Sequence, residues 1–152
     1  MAVTIPVGEQ LYEVAVKFTG ATEFGVSMEA LSSGKVPPPP EGARFDVAFA
    51  GSLRGPRLTG TVTGVDYLSV RADGRFQLHI HAAITTEDGA NIALFADGVA
   101  VPHEGSSVLD LKENVTLTTS AKAYSWVNKL QVWGIGTVDL ATHEVNVKGY
   151  AA

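Results

Sequence analysis

The chain contains no cysteine. Disulfide scaffolds, zinc ribbons, thiol nucleophiles and thiol redox chemistry are excluded together. Charged residues are sparse, at 18% of the total, and eleven Lys and Arg stand against sixteen Asp and Glu for a net charge of −5. The basic residues form no cluster, so a phosphate backbone finds no electrostatic footprint and no nucleic-acid partner is expected. No stretch approaches the roughly 18 apolar residues of a membrane-spanning helix. The first residues, Met1-Ala2-Val3-Thr4-Ile5-Pro6-Val7, show no basic segment followed by an apolar run, so no secretory leader is expected. No Gly-x-Ser-x-Gly elbow, P-loop or dinucleotide-binding glycine pattern occurs. These absences point to a soluble, cytoplasmic protein with no membrane partner and no call for a cofactor or metal.

What the chain does have is length, glycine and alternation. Its 152 residues, 45% of them hydrophobic, are the size of one ordinary domain, expected to span 1–152. A domain of that size buries roughly 68–70% of its unfolded surface and needs no staples. Apolar residues recur with period two rather than 3.6. Phe76, Leu78, Ile80, Ala82 and Ile84 alternate with Gln77, His79, His81, Ala83 and Thr85. Val14, Val16 and Phe18 behave alike, as do Phe45, Val47 and Phe49, and Val115 and Leu117. Val138 and Leu140 open a last hairpin that Val145 and Val147 return.

Turn chemistry separates these runs. Asp73-Gly74, Asp88-Gly89 and Asp97-Gly98 are all hairpin dipeptides. Helical signal is limited to a short turn within Phe24–Ser33. Ser120–Val127 is the other helical option, but strand placement suits Trp126, Val127, Val132 and Trp133 better. Pro37–Pro40 cannot lie within a sheet and reads as an exposed loop. About eight to ten short strands joined by hairpins predict an all-β fold, a single closed antiparallel up-and-down barrel, lipocalin-like in shape. Closure also removes edge strands.

Several blocks in register carry a family resemblance. They are Gly55-Pro56-Arg57-Leu58-Thr59-Gly60, Val65-Asp66-Tyr67, Val70-Arg71-Ala72-Asp73-Gly74, Thr86-Glu87-Asp88-Gly89-Ala90-Asn91-Ile92 and Tyr124-Ser125-Trp126-Val127-Asn128, followed by Gly134 and Gly136. In this order and spacing, from about Leu11 to Tyr150, the chain resembles the DUF3237 (UPF0311) family. The resemblance implies a closed antiparallel barrel with a ligand-sized cavity and no assigned chemistry. Members often carry an acidic residue and an arginine, two apart, on the strand before the Thr-x-Asp-Gly turn. His79 and His81 fall there in this chain, which implies a different ligand or reaction if the pair lines the cavity.

Candidate chemistry rests on few side chains. His79 and His81 share one face of a strand, roughly 7 Å apart by the rise per residue. They suit acid–base work near neutral pH, a shared metal, or a solvated sheet face. A metal would need a third ligand that no spacing selects, so the expected role is metal-free. Asp66, at a strand start, would be a general base if enclosed, its pKa raised, or else a turn cap. Arg57 is a candidate clamp for a ligand carboxylate. Tyr67 is counted with the ligand contacts. Tyr124, Trp126 and Asn128, alternating on one strand, would form a stacking wall with one orienting amide. The catalytic set is thus His79, His81 and Asp66, and the binding set Arg57, Tyr67, Tyr124, Trp126 and Asn128.

Three functions follow. The first is a small-molecule-binding barrel without catalysis. The second is a cofactor-free isomerase, cyclase or lyase working by His/Asp acid–base chemistry on a small cyclic or carbonyl substrate. The third is a structural or interaction module with a packed interior. If His79 and His81 point inward, the first two lead. If Phe76, Leu78 and Ile80 fill the interior, the third does. A polar-inside barrel with an apolar outer face would be covered by a neighbouring copy, predicting a homo-oligomer.

Overall fold

The computed structural model describes residues 6–152; Met1–Ile5, on which the expectation about a leader partly rests, lie outside the described residues. The alternating segments become strands β1 (Gln10–Glu23), β2 (Ala43–Arg54), β3 (Gly60–Val70), β4 (Phe76–Thr86), β5 (Asn91–Pro102), β6 (Val108–Thr118), β7 (Val132–Asp139) and β8 (Glu144–Ala151). Each pairs antiparallel with the next, and β8 returns to β1, so the eight strands close into a barrel. The expected all-β up-and-down barrel is what forms. No helix among the described residues is long and apolar enough to cross a membrane.

Period two decides which side chains enter the barrel. On β4, Phe76, Leu78, Ile80, Ala82 and Ile84 face the interior, while Gln77, His79, His81, Ala83 and Thr85 face out. Two apolar layers fill the ends. One gathers Leu53, Val62, Ile84, Ile92, Val115 and Val132 beneath the 3₁₀-helix Lys122–Lys129, whose Val127 is fully buried. The other gathers Phe45, Leu68, Val70, Leu78, Leu109 and Leu111 beneath helix α1 (Met28–Ser32), which lays Met28 and Leu31 against it. Ser27 caps α1, its Oγ accepting the Ala30 N–H at 3.2 Å.

Three local expectations are corrected. Asp97-Gly98 is not a turn: it lies within β5, where alternation through Ala96 and Ala100 continues and Gly98 pairs with Glu113. The turn falls later, around Gly105 at φ 72°. Asp66 and Tyr67 sit in the middle of β3, not at a strand start, because Val62 to Val70 is one unbroken alternating run. Tyr124, Trp126 and Asn128 belong to the 3₁₀-helix rather than a strand. With three residues per turn, alternate side chains there do not share a face.

Candidate active site

Between the two apolar layers lies a cavity of about 80 Å³. Its wall is almost wholly aliphatic and aromatic, with Val14, Val16, Phe49, Val62, Ile80 and Leu94 among its members. Three polar side chains enter it: Tyr12 from β1, Asp66 from β3 and Glu113 from β6. No Lys, Arg or His lines it among the described residues. The interior is therefore neither the His-lined cavity nor the filled core foreseen above. Phe76, Leu78 and Ile80 do point inward, yet a cavity with two carboxyl groups remains.

Each polar group sits there against a desolvation cost. Burial pushes the Asp66 carboxyl up to about 6, opposed by the hydrogen bond from the His79 backbone N–H, 2.9 Å from Oδ1, and by His79 and Arg44. Burial, with the charge of Asp66 added, pushes Glu113 up to about 7. Burial and the charge of Glu113 likewise push the Tyr12 phenol well above its usual range, so it stays protonated. Two buried side-chain atoms among the described residues have no hydrogen-bond partner, Tyr12 Oη and Glu113 Oε2. Orphaned polar atoms are uncommon in interiors, and each marks a position where a ligand or water can complete the bonding.

Glycines make the room. A Cβ on Gly134 would stand 2.6 Å from Glu113 Cγ, and one on Gly149 would stand 2.4 Å from Tyr12 Cζ. These two residues are cross-strand partners on β7 and β8. Gly134 thus leaves space for the Glu113 side chain within the sheet.

Of the catalytic and binding candidates named from the sequence, Asp66 alone lines the cavity. His79, His81 and Tyr67 form an aromatic group with Phe95 on the outer face. Arg57 lies over the Trp126 ring, 4.1 Å from its centroid, and pairs with Glu9 at 3.1 Å. Tyr124 donates its hydroxyl to Asp88 at 2.8 Å. Asn128 brackets Thr119, accepting from its N–H and donating to its carbonyl, both at 2.8 Å. These four stitch the 3₁₀-helix across one end of the barrel. Glu113 and Tyr12 were missed, although parity could have found both. Tyr12 leads the series Val14, Val16 and Phe18, and Glu113 interrupts Leu109, Leu111, Val115 and Leu117.

The structure is thus a closed eight-stranded barrel that buries two carboxyl groups of raised pKa in an apolar cavity. The chain belongs to the family described as protein of unknown function (DUF3237), whose model matches residues 17–152. A curated relative, the hydroalkoxylation enzyme phnH of Penicillium herquei, is 38% identical over 85 residues, which cover 55% of this chain and 50% of that protein. The chain thus matches about half the length of this relative. Among solved structures, a protein with unknown function from Clostridium acetobutylicum superposes with a TM-score of 0.76 at 21% identity, over 94% of this chain and 96% of that one. An enzyme from Penicillium herquei superposes with a TM-score of 0.64 at 21% identity, over 99% and 98%. Both structural likenesses are likenesses of fold.

Proposed function

We propose that this barrel is a cofactor-free acid–base enzyme that adds a hydroxyl O–H across a carbon–carbon double bond within one apolar, uncharged substrate. The observation that carries the reading is the carboxyl pair, Asp66 and Glu113, in a cavity without a cation. Between about pH 6 and 7 the pair holds one proton, so one member is an acid while the other is a base. The Glu113 acid gives its proton to one alkene carbon. The substrate oxygen bonds to the other carbon, and its proton passes to the Asp66 carboxylate. Atoms balance as an isomerisation, and transfer of the proton from Asp66 to Glu113 resets the site. Tyr12 donates its unpartnered O–H to a substrate oxygen and orients it. Apolar walls exclude water that would otherwise capture the cationic carbon. The name of the phnH relative supports this reaction class.

A second reading, a barrel that holds such a ligand without reacting, draws on the same apolar lining. The discriminating experiment incubates the protein with ortho-allylphenol and follows the cyclic ether by chromatography. Turnover that falls about 10²–10⁴-fold in Glu113→Gln and Asp66→Asn supports the enzyme. Binding of the phenol without turnover, unchanged in both variants, selects the carrier.

A further inference from the structure

The His79–His81 pair has no part in the cavity, yet its geometry is that of a ligand set. Parity puts both rings on the exposed outer face of β4. Tyr67 packs beside them with centroids 6.3 and 5.8 Å away, and Phe95 with centroids 5.4 and 5.3 Å away. The two Nε2 atoms converge to 3.3 Å. That separation allows one ring to donate to the other, the roles set by the tautomer. It matches the edge of a tetrahedron of nitrogens at about 2.0–2.1 Å from a zinc ion, which comes to roughly 3.3–3.4 Å.

We propose that His79 and His81 chelate a divalent transition-metal ion of the imidazole-preferring class, copper, nickel or zinc, through their Nε2 atoms on the outside of the barrel. Among the described residues no group of three or more His, Cys, Asp or Glu could hold a metal. The chain therefore supplies two ligands, and water or a solute fills the remaining positions. The surroundings permit this. The pair opens onto a depression of about 800 Å³ that also carries Asp97, the cross-strand partner of His79. Asp97 accepts from Asn114 at 2.9 Å and adds negative charge beside the rings. Arg44, on the same depression, is held by Asp46 at 3.0 Å, which offsets its repulsion. The packed rings hold both imidazoles, so little side-chain freedom is lost on chelation.

The test is calorimetric titration of the full chain with copper and with zinc at neutral pH in a non-chelating buffer. One ion per chain is expected, with copper tighter than zinc. His79→Ala and His81→Ala should each weaken binding by about tenfold or more. His103→Ala and His143→Ala should leave it unchanged. Melting in EDTA checks that the outer-face variants fold. As a second measurement, imidazole NMR of the unaltered protein should show only the His79 and His81 Nε2 signals moving on adding zinc. Absence of saturable binding at millimolar ion overturns the site. So does equal binding by the His79→Ala/His81→Ala double variant, or zinc-induced shifts elsewhere alone.

Discussion

His79 donates its backbone N–H to Asp66 Oδ1 at 2.9 Å, through the barrel wall. The β3–β4 pairing runs from Gly60↔Thr86 to Asp66↔Ile80 and resumes at Ser69↔Gln77 in the same register. It is interrupted at Tyr67 and Leu68, and the carboxylate takes up an N–H in that gap. The bond favours the charged form of Asp66 and so opposes its desolvation. Glu113 Oε2 has no such partner. This asymmetry makes Asp66 the first of the pair to ionise and leaves the proton on Glu113, the division of roles that the proposed chemistry needs.

Stability should carry the signature of Glu113. Its pKa in the folded chain, about 7, lies above the ordinary value of 4.5. The folded state therefore holds a proton that the unfolded state has shed, and stability falls as pH rises through this interval. The contribution is fully present below the ordinary value and is gone once pH exceeds the folded one. The size is roughly 3 kcal/mol at 1.36 kcal/mol per pKa unit. Glu113→Gln cannot ionise. In urea melts it should match the parent near about pH 4 and exceed it by about 2–3 kcal/mol near about pH 8. A variant equally or less stable at the higher pH would show that Glu113 is not held protonated by burial.

Tyr12→Phe separates stability from activity. Tyr12 is 2% exposed and its hydroxyl has no partner. A buried hydroxyl without a bond costs about 1–3 kcal/mol, so its removal should leave the fold as stable or more stable by about 1 kcal/mol. Turnover of the allylphenol probe should fall, because the substrate oxygen loses its donor. A loss of stability would mean that the hydroxyl has a structural partner.

Gly134→Ala is a test of the space around the acid. The added methyl would stand 2.6 Å from Glu113 Cγ and 3.0 Å from Val147 Cγ1. Both backbones are fixed by the ladder, so the Glu113 side chain has to move. Overpacking of this kind costs about 1–3 kcal/mol. The expected outcome is a folded barrel with a modest drop in melting temperature and a loss of turnover comparable to that of Glu113→Gln. Turnover at the parent level would show that Glu113 has freedom to spare.

The barrel was legible because its signal is redundant: six alternating segments and the Asp73-Gly74 and Asp88-Gly89 turns are local features, and each agrees with the others. The site was legible only in part. Asp66 drew notice as a carboxyl at an expected strand start, a general base if enclosed. Glu113 sits among Asp110, Lys112 and Asn114, where local composition reads as a solvated strand face. Its inward position follows only from parity with Leu109, Leu111 and Val115, a relation that a search for charged motifs passes over. His79 and His81 misled for the converse reason. Two titratable rings attract attention, but the apolar series Phe76 to Ile84 claims the interior and leaves them outside.

The two ends of the barrel are closed by unequal means, and that difference predicts where a substrate enters. The 3₁₀-helix end is anchored by fully buried Val127, by the Tyr124–Asp88 bond and by Asn128 bracketing Thr119. Helix α1 has five residues and buries none of them. Beneath it, a depression of about 620 Å³ shares Phe18, Met28, Phe76 and Leu140 with the inner cavity. A cavity of about 80 Å³ is smaller than the ~300 Å³ that drug-sized ligands occupy, so binding a whole phenol requires the α1 end to yield. Amide exchange should accordingly be faster across Phe24–Val36 than across Lys122–Lys129, since segments with few buried contacts open at low cost. Met28→Ala and Leu31→Ala should speed uptake of ortho-allylphenol with little change in global stability. Val127→Ala should instead lower stability without faster uptake. Exchange that is slower at α1 than at the 3₁₀-helix would place the opening at the other end.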